Sequence, residues 1–218
     1  NQSLLLEVRQ PLNTEYLRKA LAELSRHHHT LRATFAEGSK GWQQTYRPWN
    51  KETPLTLVKT KTDSPGEVIE TTANEIQSGF DLSEGPLWHV VYFDLAVGNR
   101  SVRRLLVVCH HLIVDGVSWR ILLADLQLLY TQLERSPHAH AELLPPPTST
   151  PDWVQALAEQ DFSSDQEHWQ ATDARAQQLS IPLDQSDASN AMGHARTRQI
   201  EFSSDETQCL LSDVPQNY

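Results

Sequence analysis

Residues 107–122, VVCHHLIVDGVSWRIL, set two adjacent histidines and an aspartate between an apolar run and an apolar, helix-like segment. Buried imidazoles and carboxylates are costly unless paired or employed. His110, His111 and Asp115 therefore mark a place where packing logic alone fails, and such places are often functional. A neutral imidazole with an ordinary pKa of about 6.5 is a fit general base near neutral pH. On an extended chain the two adjacent histidines point to opposite faces, so only one can face a given cleft while the other sits in the core or orients its neighbour. Asp115 follows the apolar Leu112, Ile113 and Val114 and needs a partner such as an arginine to be tolerated there. One lone histidine would be read as a satisfied polar strand end; two His with Asp and Gly within residues 110–116 favour chemistry. A metal site is the next alternative, but the helical spacing of an HExxH site is missing and no third ligand is evident. Ser118 lacks the Gly-x-Ser-x-Gly context of a nucleophile elbow.

Several elements must position these groups. Gln2–Val8 reads as a strand, and Asn13 as the N-cap of a helix carrying Leu17, Ala20, Leu21 and Leu24 at helical spacing. That helix ends in the basic stretch RHHH, where cations favour a helix C-terminus. LRATF (31–35) and GWQQTYRPW (41–49) read as strands, the second ending at Pro48. A short strand LTLVK and a helix over Glu67–Gln77, ended by Gly79, come next. Leu87–Leu95 and Val102–His110 are two β-rich runs around VGNR, a hairpin-type signal. Asp115–Gly116 opens the longest helix, Val117–Glu134, with Val117, Ile121, Ala124, Leu128, Leu129 and Leu133 stacked on one side. Residues 136–151 form a Pro-rich connector. Helices over Asp152–Gln160 and Ser164–Ala176, each with Trp on its apolar face, precede a loop at 180–195, a short strand Arg198–Phe202 and a final helix-like segment. Strands interleave with helices while several connections are short hairpins, so a mixed sheet covered by helices, an α+β fold, is expected.

The 218 residues carry a net charge of −10, without the clustered Lys and Arg that a nucleic-acid footprint requires. Hydrophobic content of 39% with six Trp supports a packed core, and a mean hydropathy of −0.50 leaves room for substantial polar loop. No apolar run approaches the roughly 20 residues of a membrane span, and no signal-peptide pattern opens the chain. Cys109 and Cys209 are far apart and form neither CxxC nor a Cys/His zinc pattern, so both read as ordinary thiols in a reducing compartment.

HHLIVDG, residues 110–116, resembles the HHxxxDG motif of the nonribosomal peptide synthetase condensation superfamily. HHHTLRATF (27–35) is similar to that family's upstream arginine motif, and FDLSEGPLWHVVYFDL (80–95) to its segment before the active strand. All three follow at the family's spacing, so the resemblance spans the whole chain. HHxxxDG is shared by condensation, cyclisation and epimerisation members. VDGVSWRIL (114–122), and HHHTLR in place of a motif led by Arg-His-Glu, resemble the epimerisation subgroup.

The resemblance implies an α+β, chloramphenicol acetyltransferase-like fold, here the N-terminal lobe of a two-lobed, V-shaped domain with its active site at the junction. Residues 1–135 would form that lobe, 136–151 the connector, and 152–218 a helical continuation leading to a C-terminal lobe beyond this segment; the family's first few dozen residues would precede it. His111 matches the histidine to which the family assigns acid/base work, and His110 the more structural one. Asp115 matches an aspartate whose family role is mainly a salt bridge, with Arg32 the best candidate partner. Gly116 would let the backbone turn tightly beside a pantetheine tunnel. The implied reaction is L-to-D epimerisation at the Cα of an aminoacyl or peptidyl thioester, with a second proton-handling glutamate in the C-terminal lobe. The substrate would be presented on the 4'-phosphopantetheine of an upstream carrier domain in cis, beside adenylation and downstream condensation domains. No directly bound cofactor or metal, no nucleic acid, no membrane and a cytoplasmic location are expected. A condensation domain joining two carrier-bound acyl groups is the first alternative. A non-catalytic member that recruits carrier domains is the second, and an intact HHxxxDG argues against it.

Overall fold

The computed structural model describes residues 1–39, 41–51, 53–137, 141–144, 150–177, 191, 196 and 198–217. β1 (Gln2–Glu7) alternates half-buried and exposed residues, the mark of a strand with one face on the core. α1 (Thr14–His27) begins where Asn13 accepts hydrogen bonds from the Glu15 and Tyr16 amides, and it buries Leu17, Ala20, Leu21 and Leu24 as their spacing predicts. A 3-10 turn (His29–Arg32) buries Leu31 and delays the strand predicted from residue 31, so β2 (Ala33–Gly38) starts at Ala33 and pairs antiparallel with β3 (Gly41–Tyr46). β4 (Leu55–Lys61), α2 (Pro65–Ser78), β5 (Trp88–Val97), β6 (Arg100–Cys109) and α3 (Gly116–Arg135) follow. Gly98 supplies the positive φ of 57° at the tight β5–β6 turn.

The main sheet has the order β1-β6-β5-β4, with the β4–β5 pair parallel and the others antiparallel. Alternate residues of its two central strands serve two cores. Val90, Tyr92, Leu105, Val107 and Cys109 pack with Leu17, Leu21, Leu122, Leu126 and Leu129 of α1 and α3. Val91, Phe93, Leu95, Leu106 and Val108 pack with Val68, Ile69, Ala73 and Ile76 of α2. Burial on both faces is why β5 and β6 read as nearly continuous apolar runs rather than alternating ones.

The face of α3 differs from the expected stripe. Trp119, Leu122, Leu126, Leu129 and Leu133 are buried, whereas Val117, Ile121 and Leu128 stand 68%, 50% and 47% exposed. Leucine-rich helices offer more than one apolar stripe, and the packing against α1 and the sheet selects one of them.

The chain divides into two compact units, Asn1–Gln160 and Asp161–Tyr218. In the first, the predicted connector is tied back to α3: the Gln132 side chain accepts from the Glu142 amide at 2.8 Å and donates to the Glu142 carbonyl at 2.9 Å, and Ala141 is buried. α4 (Thr150–Glu159) completes that unit. The second contains α5 (Ser163–Ala176), α6 (Ser204–Gln208), a π-helical turn (Cys209–Asp213) and α7 (Val214–Asn217). Trp153 on α4 and Trp169 on α5 are 57% and 66% exposed, so neither helix buries its predicted apolar face. The strand expected at Arg198–Phe202 does not form where described: residues 198–203 pair with no strand and lead directly to the Ser203 cap of α6. A β-branched or aromatic run becomes a strand only when an edge accepts it. The loop expected at 180–195 lies almost wholly outside the described residues. No helix among the described residues is long and apolar enough to cross a membrane.

Candidate active site

The sheet delivers the motif. Cys109, the last residue of β6, lies between Gln2 of β1 and Trp88 of β5. His110 extends the pairing by one bond, its amide donating to the Leu87 carbonyl at 2.8 Å, and the chain then turns as the Ile113 amide donates to the His110 carbonyl at 3.1 Å. Ile113 and Val114 anchor that turn in the core at 7% and 4% exposure. The apolar pair that made the aspartate look misplaced thus pins the turn from below and leaves His111 exposed above it.

The two histidines separate as expected for adjacent residues, although the turn rather than an extended strand divides them. His110 is half-buried; its Nδ1 accepts from the Leu112 amide at 3.2 Å, and burial shifts its pKa below the ordinary imidazole value, favouring the neutral ring. His111 is exposed, with Nδ1 2.9 Å from the Val114 carbonyl oxygen and Nε2 2.9 Å from the Gln2 side-chain nitrogen. That arrangement offers one basic ring nitrogen at a surface, with the other nitrogen tied to the backbone.

Asp115 and Arg32 do not form the ion pair expected of them. Asp115 is the N-cap of α3: one carboxylate oxygen accepts from the Val117 amide at 3.1 Å and from the amide and hydroxyl of Ser118 at 2.7 and 2.6 Å. Hydrogen bonds from the Ser118 hydroxyl and amide hold its pKa below the usual carboxylate range. A helix N-terminus supplies orphan amides, so this carboxylate needs no cation. Arg32 instead donates to three backbone carbonyls, those of Ser25 and Arg26 in the last turn of α1 and that of Arg47 at 3.1 Å. It closes the C-terminus of α1 and ties it to the end of β3. Burial depresses its guanidinium pKa.

Arg32 also lines a cleft of about 330 Å³ with Arg47, Thr53, Trp88 and His89; neither His111 nor Asp115 borders it. Gly116 is the first residue of α3; its φ is not in the positive range, and a Cβ there would meet nothing within 4 Å. The described residues therefore do not require glycine at that position. Cys109 is buried, and burial pushes its thiol pKa up to about 12, which fits the inert thiol read from the sequence.

Two participants had no signal of their own in the sequence. Gln2 reaches His111 across 109 positions, and the Trp119 indole donates to the Gln2 side-chain oxygen at 2.8 Å. A glutamine in a strand carries no pattern by itself; only the β1–β6 register brings it here. The imidazole-rich end of α1 also has a distant partner: His28 Nε2 lies 2.7 Å from an Asp125 carboxylate oxygen on α3, and His27, His28 and Asp125 offer potential ligand atoms within 4.8 Å of one another.

The Condensation domain family matches residues 1–217. The chain belongs to that family. It is 41% identical, over its whole length, to part of a linear gramicidin synthase from Brevibacillus parabrevis, and 31% identical to part of a surfactin synthase from Bacillus subtilis. This condensation-family segment spans 4% and 6% of the length of those two relatives. The crystal structure of the epimerization domain from the third module of tyrocidine synthetase B matches the whole chain with a TM-score of 0.80 at 27% identity, and the chain covers half of that domain. The X-domain from teicoplanin biosynthesis matches 77% of the chain at a TM-score of 0.63 and 23% identity, which speaks to the fold alone. The expected acetyltransferase-like α+β architecture is thus the observed one.

Proposed function

We propose that this chain is the histidine-bearing part of an epimerisation domain that inverts the Cα of an aminoacyl or peptidyl thioester during nonribosomal peptide synthesis. The observation that carries the reading is the extent of structural likeness. The epimerization domain of tyrocidine synthetase B matches all of the chain, whereas the X-domain and a starter condensation domain match 77% and 78% of it with TM-scores of 0.63 and 0.58. The geometry supports the same chemistry. His111 presents Nε2 as a lone-pair nitrogen while Nδ1 is bonded to the Val114 carbonyl, the arrangement of a general base.

In the proposed reaction His111 Nε2 takes the α-proton, and the electrons of the broken C–H bond pass into the thioester to form an enolate. A proton returned to the opposite face gives the D centre, so a second proton-handling group is needed there; the resemblance implies a glutamate of a C-terminal lobe. The thioester stabilises the enolate better than an amide would, which is one reason for a substrate tethered through phosphopantetheine. The partners of this reading are an upstream carrier domain in cis, an adenylation domain and a downstream condensation domain.

The test uses the full synthetase chain with its carrier loaded. Solvent deuterium entering Cα, together with a mixture of L and D residues on the carrier, is the expected result. A new amide bond with no change at Cα makes the domain a condensation catalyst, and turnover of a free amino acid contradicts the carrier-bound substrate.

A further inference from the structure

Three side chains from separate parts of the chain make a line of hydrogen bonds that ends on His111. The Trp119 indole N–H, which can only donate, lies 2.8 Å from Oε1 of Gln2. This fixes which end of the Gln2 amide is oxygen and leaves its amino group 2.9 Å from His111 Nε2. An amide nitrogen has no lone pair to offer, so His111 Nε2 must accept and carries no proton. At the other side of the ring, Nδ1 is 2.9 Å from the Val114 carbonyl, which can only accept, so Nδ1 carries the proton. The two ends of the ring impose the same tautomer independently.

We infer that Gln2, anchored by Trp119, is a positioning residue that holds His111 as its Nδ1–H tautomer by capping the Nε2 lone pair until a substrate takes its place. The inference deepens the reading of His111 as the acid/base group and rests on it. Gln2 suits the task because its backbone is fixed in the sheet opposite Cys109, and because Trp119 is 9% exposed within the core. The contact is also reversible. The Gln2 amide N–H must leave the Nε2 lone pair before that nitrogen can take a proton, and the bond re-forms only when the proton has been handed on. Gln2 and Trp119 act on proton transfer, and not on how tightly the substrate binds.

The test compares Gln2→Leu, which keeps size and removes both bonds, Trp119→Phe, which removes only the indole N–H, and Gln2→Glu, which keeps an acceptor for Trp119 but sets a carboxylate against Nε2. All are made in the full synthetase chain, with unchanged thermal unfolding as the check on folding. With a loaded carrier, Gln2→Leu is expected to lower kcat for α-proton exchange by about 10- to 100-fold with KM unchanged, the cost of misplacing a reacting group. Trp119→Phe should fall between wild type and Gln2→Leu, and the double variant should be no slower than Gln2→Leu, because Trp119 acts through Gln2. Gln2→Glu should move the rising limb of the pH–rate profile to higher pH, which loss of packing alone does not do. A second measurement is independent of turnover: carbethoxylation of His111 by diethyl pyrocarbonate, mapped by peptide mass spectrometry, should speed up several-fold in Gln2→Leu as the Nε2 lone pair is uncovered. Unchanged carbethoxylation, additive effects in the double variant, or a KM effect without a kcat effect overturns the inference. Should the wild type form amide bonds and exchange no α-proton, the epimerisation reading falls, while the carbethoxylation result still decides whether Gln2 holds the ring.

Discussion

Gln2 stands directly opposite Cys109 in the β1–β6 pair. Through that one register position, the first residue of β1 meets the last residue of the strand that leads into the two histidines. The half of the site that can be tested at once is His111 itself. Replacing it with alanine in the full synthetase chain should lower α-proton exchange on the carrier-bound residue by at least about 100-fold, the usual contribution of a positioned acid or base. Mass-spectrometric uptake of solvent deuterium measures it; exchange at the wild-type rate removes His111 from the mechanism.

Asp115 and Arg32 serve different helices, one capping the start of α3 and the other closing the end of α1. Asp115→Ala and Arg32→Ala should each lower the melting temperature, and the two decrements should add in the double variant, as they do for sites without shared partners. Asp115→Asn should retain most of the lost stability, since asparagine caps a helix nearly as well as aspartate. Marked non-additivity in a double-mutant cycle would restore the ion pair.

On α3 the buried stripe, and not the exposed one, carries the stability. Leu129 is fully buried, so Leu129→Ala should cost about 2–5 kcal/mol in chemical denaturation. Val117→Ala, at a side chain 68% exposed, should change stability by no more than about 0.5 kcal/mol. The opposite ranking would mean that α3 packs through the other face.

Three histidines tie the fold to pH. His27, His89 and His110 all have pKa values pushed below the ordinary 6.5, chiefly by burial. The unfolded chain therefore binds more protons than the folded one once the pH drops below that value, and stability falls with it. Melting temperature should hold above pH 6.5 and decline below it. His89→Gln, which leaves an amide near the Thr56 hydroxyl that His89 meets at 2.8 Å, should make the decline shallower.

The two cysteines should differ sharply towards a thiol reagent. Cys209 is exposed and should titrate with Ellman's reagent in the native protein, whereas Cys109, buried and with its thiol pushed up to about 12, should react only on unfolding. Two native equivalents of reactive thiol from this segment would place Cys109 outside the core.

Much of this protein could be read from local pattern. Asn13 as a cap, the α1 leucines, Gly79 as a helix stop, VGNR as a tight turn and Asp115–Gly116 as the start of the longest helix all depend on neighbours within a few positions, and each appears in the structure as the pattern predicts. The HHxxxDG turn was legible for the same reason, because its unusual residue types sit together. What the tertiary structure alone decided involves partners far apart in sequence. The buried face of α3 was chosen by α1 and the sheet from among several leucine stripes, and Arg198–Phe202 met no edge among the described residues to pair with. Asp115 found its donors in the first turn of its own helix, so the need for a partner was real but the arginine was not. Gln2 and Trp119 reached His111 only because antiparallel pairing fixes which residues stand opposite one another. A hydrogen bond is set by geometry within a few tenths of an ångström, and for groups separated by a hundred residues that geometry exists only once the sheet has formed.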